Sequence, residues 1–419
     1  MTKQSKALIV DDSKAITQFL SSYIEEQEHV PTEVAASLRE VEALFAEDAE
    51  RFFVAVLDLN LPDAPNGEVV DLVLAKEIPV IVLTGFLSDE LRDQMLEKRV
   101  VDYVMKSNAS EINHVAEIIR RIRDNRDIKI LVVDDSRSFR QYVVDLLRVH
   151  RYQIFQAVDG VEALEILGEQ PDLSLVLTDY HMPRMDGMEL IGEIRRRYGR
   201  NELAIIGVSD RASPLLSARL LKTGANDFVT KPFMLEEFYC RVNQNIETIS
   251  HIRAIRDSAI RDYLTKVYNR RYLFEAGLKL YENSRRKNIT LMAAMVDIDH
   301  FKHVNDSYGH HTGDVALQRV AAALESSIRA TDLLGRYGGE EFCILAINVT
   351  EEGCREFFER IRQKVADIRI PHKGMELSFT VSIGVNGVPG ESLEQMIGWA
   401  DEALYQAKQT GRNRVVFHG

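Results

Sequence analysis

Arg336-Tyr337-Gly338-Gly339-Glu340-Glu341-Phe342 decides how the last part of this chain folds. The adjacent glycines permit a tight reversal that side chains would obstruct. Phe342-Cys343-Ile344-Leu345 continues as an apolar run and reads as a buried strand. A hairpin with Glu340 and Glu341 at its tip is expected, and two acids on a rigid turn can hold Mg²⁺ against a nucleotide phosphate. By itself a Gly-Gly-acid turn is most often a plain hairpin, so its surroundings carry the argument.

Upstream, the strand-like run Leu291–Val296 leads into Asp297-Ile298-Asp299-His300-Phe301-Lys302, then Asn305-Asp306, Gly309-His310 and Gly313-Asp314. A carboxylate ending a buried strand, a lysine just beyond it and a glycine-rich helix entry together make a metal and phosphate site. Asp262-Tyr263-Leu264-Thr265 to Asn269-Arg270-Arg271 opens this region, and Ala400-Asp401-Glu402-Ala403-Leu404-Tyr405-Gln406-Ala407-Lys408 with Gly411-Arg412-Asn413 closes it. The whole set resembles the GGDEF family of diguanylate cyclases over about residues 258–419. One departure is Lys266-Val267, where the family usually carries Gly-Leu.

The resemblance implies a palm-like, antiparallel-rich α/β nucleotidyl cyclase domain. It places Asp297 and Glu340 on Mg²⁺ or Mn²⁺ with help from the Ile298 carbonyl, and makes Glu341 a second metal ligand or an aid to proton removal. Asn305 and Asp314 align with the guanine readers; a carboxylate can accept from guanine N1–H and its amine, a donor pair adenine lacks. Lys302, Lys408 and Arg412 would meet the triphosphate. His303, His310 and His311 are not needed as ligands, because Mg²⁺ prefers oxygen and the carboxylate set is complete. Arg329-Ala330-Thr331-Asp332 matches the family's product-inhibition motif, with Arg360 as its second arginine. Arg329 and Asp332, three apart, are expected on one side of a helical turn. The implied reaction joins two GTP into cyclic di-GMP and releases two pyrophosphates. Each domain holds one GTP, so chemistry requires a homodimer. The alternative is a catalytically silent cyclic di-GMP receptor.

The first 250 residues or so contain a repeat. Ala7–Ser13 (ALIVDDS) returns as Ile130–Ser136 (ILVVDDS), Val56-Leu57-Asp58 as Leu177-Thr178-Asp179, and Asp102–Lys106 as Asp227–Lys231. Short apolar strands alternate with amphipathic helices, which argues a doubly wound parallel sheet in each copy. Polar residues follow the strands, at the edge where such sheets bind ligands. An acid pair and a separate Asp can hold one Mg²⁺, and that Asp can act as a carboxylate nucleophile for a phosphoryl group. The pattern resembles two tandem flavodoxin-like receiver domains of response regulators. The implied metal sets are Asp11, Asp12, Asp58 and Asn60, then Asp134, Asp135, Asp179 and His181. Phosphorylation is expected at Asp58 and Asp179, sensed by Thr84 with Lys106 and by Ser209 with Lys231. A histidine kinase or phosphotransfer protein is the implied partner.

The copies differ. The second has Met182-Pro183-Arg184-Met185-Asp186-Gly187 and a Lys231-Pro232 bond expected to be cis. The first is one residue longer between Asp58 and its glycine, Gly67, but has only 17 positions from Gly67 to Thr84 against 22 from Gly187 to Ser209. Its third helix should be short or irregular.

Apolar residues at three- and four-residue steps from Leu235 to Ile255 predict one long helix, which outruns a receiver beyond Ile246 and reads as a signalling stalk. The expected domains are residues 1–126, 127–247, a linker at 248–261 and 262–419. A formal charge of −13 argues against binding nucleic acid polymers. Cys240, Cys343 and Cys354 show neither metal spacing nor a disulfide framework. No apolar run of about 18 residues suggests a membrane span, so a cytoplasmic protein is expected.

Overall fold

Five parallel strands, Lys6–Val10, Thr32–Ala35, Phe52–Asp58, Val80–Thr84 and Asp102–Met105, lie in spatial order 2-1-3-4-5. Every residue of Phe52–Asp58 and Val80–Thr84 is buried. That explains the unbroken apolar runs, since helices cover both faces of a parallel sheet. Leu8, Leu57 and Val70 pack on one face; Ile9, Leu83 and Ile119 pack on the other. The second repeat, with strands Lys129–Val133, Gln153–Ala157, Leu175–Asp179, Ala204–Ser209 and Asp227–Thr230, takes the same order. This computed structural model describes residues 5–86, 88–106, 109–210, 214–287, 289–349, 351–372 and 375–419.

The expected irregularity is present. The third helix of the first repeat, Glu68–Leu74, has 7 residues, whereas its counterpart Gly187–Arg197 has 11. The extra loop residue also changes the work of the glycine. A Cβ on Gly187 would sit 2.2 Å from the Asp179 carbonyl oxygen, so only glycine lets the loop close on the strand end. Gly67 instead takes a left-handed φ of 76° to start its helix. The Lys231-Pro232 bond is cis.

The chain divides into units at 1–252 and 253–419. Inside the first, Arg92 pairs with Glu236 at 2.6 Å and Arg121 with Glu247 at 3.3 Å, tying one repeat to the other. The polar joint between the repeats is a 3-10 turn, Asn125–Asp127, whose buried Asn125 donates to the His150 carbonyl. The helix Leu235–Ile260 is continuous and buries Phe238, Val242, Ile246 and Ile249, while Ile255 is exposed.

The second unit is built on a six-stranded sheet. Its spatial order is Tyr268–Asn269, Leu333–Gly338, Glu341–Ile347, Leu291–Ile298, Val381–Asn386 and Val415–Phe417. The centre is antiparallel and the two edges are parallel. Residues alternate along Leu291–Ile298: Ala294, Val296 and Ile298 enter one core, and Ala293 and Met295 the other. Cys343 and Cys354 are buried packing residues.

Candidate active site and receiver pockets

The register of the central strands assembles the acid cluster. Asp297 lies opposite Glu341 on one side and Ser382 on the other. Gly338 pairs with Glu341, so Gly339 and Glu340 alone make the turn. The expectation that both acids stand at the tip is corrected: Glu340 is in the turn, and Glu341 is the first strand residue. The tip is braced by Arg336, which donates to the Gly339 carbonyl at 2.9 and 2.7 Å and pairs with Asp262 at 3.0 Å.

Asp297 is only 5% exposed, and its carboxylate meets Lys408 Nζ at 2.8 Å. Burial pushes its pKa up to about 6; Lys408 opposes the shift and the charges of Glu340 and Glu341 add to it. Burial also raises Glu341, with Lys408 pulling it down and Asp401 pushing it up. A hard divalent cation suits this all-oxygen set, and an ammonium already lies against the most buried carboxylate. The residues that would hold the ion are Asp297, Glu340 and the Ile298 main chain, with Glu341 adjacent. Lys408, expected on the triphosphate, lies instead on Asp297 here.

Asn305 lies inside the helix Phe301–Tyr308. Its Oδ1 occupies space 1.9 Å from where a Cβ on residue 313 would be, so Gly313 is required beside it. Asp314, Lys302 and Arg412 are exposed. One functional neighbour was not singled out from the sequence. Asp299 is buried and accepts from Thr380 and Ser382 hydroxyls at 2.6 and 2.7 Å, and from Asn413 N–H at 3.0 Å. It thereby fixes the loop that carries Arg412 to the strand that carries Asp297.

The Arg329–Asp332 segment is not helical. It is a turn between the helix His310–Glu325 and the strand Leu333–Gly338. Asp332 is buried and accepts from its own turn, Arg329 N–H at 2.9 Å, and from Ile347 N–H at 3.1 Å. The expected one-sided Arg/Asp pair is thus corrected: Arg329 is exposed, and the Asp332 carboxylate is tied into the backbone. Arg360 is exposed, on the helix Glu351–Ala366.

In the first receiver pocket, Lys106 reaches Asp11 at 2.6 Å and Asp58 at 2.8 Å. Carboxylate oxygens of Asp11, Asp12 and Asp58 lie within 4.8 Å of one another, the one such His/Cys/Asp/Glu group among the described residues. Asn60 N–H donates to Asp58 at 3.3 Å, and the Thr84 hydroxyl donates to the Phe86 carbonyl at 2.6 Å. In the second pocket Lys231 reaches Asp134 at 2.8 Å and Asp179 at 2.6 Å, and sits 3.7 Å from the Phe139 ring centroid. His181 N–H donates to Asp179 at 2.8 Å. Ser209 is buried at the end of its strand, and Asp135 is exposed.

These pockets and the hairpin edge define a two-receiver response regulator joined to a nucleotidyl cyclase. Comparison with known families agrees: the response regulator receiver domain matches residues 7–117 and 130–243, and the diguanylate cyclase GGDEF domain matches 259–414. The chain belongs to the diguanylate cyclase response regulators. It is similar to the response regulator PleD of Caulobacter vibrioides, at 27% identity over 98% of this chain and 99% of PleD. Diguanylate cyclase A of Treponema denticola is 38% identical over 41% of this chain and 49% of its own. A crystal structure of a two-component system response regulator/GGDEF domain protein is 39% identical, with a TM-score of 0.54 over 59% of this chain and 99% of that one. Among the described residues no helix is long and apolar enough to cross a membrane.

Proposed function

We propose that this cyclase condenses two GTP into cyclic di-GMP and two pyrophosphates in a homodimer, under control of phosphorylation at Asp58 and Asp179. The observation carrying the reading is the buried Asp297 facing Glu341 across the strand pair, with the Lys408 ammonium against it. Asp297 and Glu340 would hold Mg²⁺, which when bound activates the 3′-hydroxyl and neutralises the leaving group. Lys302 and Arg412 would meet the triphosphate from the exposed side, and Lys408 would join them when Asp297 holds a metal. Asn305 and Asp314 select guanine. Product binding near Arg329, Asp332 and Arg360 lowers activity; Arg329 supplies the free donor and Asp332 shapes the turn. A histidine kinase or phosphotransfer protein supplies the phosphoryl group, and the protein works in the cytoplasm.

The test is product analysis after incubating the purified protein with GTP and Mg²⁺, with and without beryllofluoride, beside Glu340→Ala. Cyclic di-GMP made by the wild type and lost in the variant supports the reading. Absence of product under both conditions, with cyclic di-GMP still bound, would support a silent receptor instead.

A further inference from the structure

Arg270 is a cation held by aromatic rings and not by a carboxylate. It opens the helix Arg270–Lys287, whose start is fixed by Asn269 Oδ1 accepting the Tyr272 N–H at 2.9 Å. A positive side chain in a first helical turn opposes the helix dipole. No carboxylate lies within ion-pair distance of Arg270 among the described residues. Its guanidinium instead stands 4.4 Å from the Tyr337 ring centroid and 5.9 Å from that of Phe274. Tyr337 draws on one of its donors, and stacking leaves the remaining in-plane N–H groups available to a ligand.

The position points at the acid cluster. Tyr337 immediately precedes Gly338, and it packs on the core shared by Met295, Cys343 and Leu404. Asp297 and Glu341, two residues along from Met295 and Cys343, point to that same face. Lys408 follows Leu404 by one helical turn and reaches Asp297. Arg270, on Tyr337 just before the turn, and Lys408, on Asp297, therefore flank the acids from two different helices.

We propose that Arg270 is a further substrate-binding residue, taking the terminal phosphates of GTP and the pyrophosphate released from it. The proposal rests on the reading of Asp297 and Glu340 as the GTP site. Lys408 is already committed to a carboxylate, whereas Arg270 keeps a planar fork of donors suited to two phosphate oxygens.

The experiment measures steady-state cyclic di-GMP synthesis by the full chain, and its inhibition by added pyrophosphate, for wild type, Arg270→Gln and Arg270→Lys. Arg270→Gln should raise KM for GTP and weaken pyrophosphate inhibition together, each by about tenfold or more. Arg270→Lys should recover part of both. A fall in kcat with pyrophosphate inhibition unchanged would overturn the proposal and leave Arg270 as a brace for Tyr337. A wild type that makes no cyclic di-GMP would instead remove the GTP-site reading itself.

Discussion

The receiver pockets and the cyclase edge use the same element, a lysine lodged in a cluster of acids, with different outcomes. Lys106 and Lys231 each bridge two carboxylates at 2.6–2.8 Å. Burial depresses both ammonium groups, but the hydrogen bonds and charges of their two partners outweigh it and raise them overall. Lys408 meets one carboxylate, Asp297, while Glu340 and Glu341 add unshared negative charge beside it. One half-exposed lysine cannot offset burial and two further acids, so Asp297 holds its proton up to about pH 6. Each pocket nevertheless sets three acids against one lysine, and burial raises Asp134 as it raises Asp297, so receivers and cyclase edge alike keep a negative charge that a divalent ion can fill.

The largest effect expected from this difference is catalytic. Glu340→Ala should lower cyclic di-GMP synthesis by at least about 10³-fold, whereas Asp58→Asn should leave unstimulated synthesis within about threefold. Quantifying product from both variants in parallel checks this. A comparable loss in Asp58→Asn would mean that the receiver acids take part in assembling the active enzyme even before phosphorylation.

Within the receivers, beryllofluoride should raise wild-type activity by about tenfold and do so much less in Asp179→Asn. The second pocket has the closer link to the long helix: Lys231 lies over Phe139, Phe139 meets Phe233 edge-on, and Phe233 stacks on Phe238 of Leu235–Ile260. The first pocket has the converging acids Asp11, Asp12 and Asp58. Equal stimulation of wild type and Asp179→Asn would assign control to Asp58.

A smaller effect should appear in the pH profile. Asp297 must lose its proton to ligate a metal. Because burial lifts its pKa to about 6, activity at limiting Mg²⁺ should fall on the acid side of that value. The fall approaches about tenfold per pH unit, and saturating Mg²⁺ should move the midpoint lower. Rates from pH 5 to 8 at two Mg²⁺ concentrations decide it; a midpoint insensitive to Mg²⁺ would separate the acid limb from Asp297.

Much of this comparison was legible in the sequence, for physical reasons that also set its limits. Acids placed directly after apolar strands must collect at one sheet edge, so Asp11, Asp58, Asp134, Asp179 and Asp297 could all be located from strand patterns. The 17-position spacing after Gly67 signalled the shortened helix because a parallel crossover has a minimum length. Side-chain partners separated by long stretches were not legible. Nothing local links Lys408 to Asp297, or the hydroxyls of Thr380 and Ser382 to Asp299. The Arg329–Asp332 turn was misread because three-residue spacing fits a helix and an Asp-closed turn equally well. Only the Ile347 N–H, supplied by a strand later in the chain, settles which one forms.

The smallest effect is on stability, and its sign differs between the two regions. Asp297 has a folded-state pKa near 6, above the ordinary carboxylate value of 3.8. The folded form therefore binds this proton more tightly than the unfolded form. Stability is lost as pH rises between these values, and the full penalty, of order 3 kcal/mol, applies above them. Asp297→Asn removes the charge and should raise the melting temperature of the cyclase unit by a few degrees at pH 7.5, with the gain fading toward pH 5. Lys106→Met does the reverse in the first receiver: it leaves Asp11 and Asp58 facing each other without a cation and should lower the melting temperature at pH 7.5. Calorimetry of both variants at the two pH values measures this. A gain in Asp297→Asn that is the same at pH 5 as at pH 7.5 would show that packing, and not the buried charge, is what that position costs the fold.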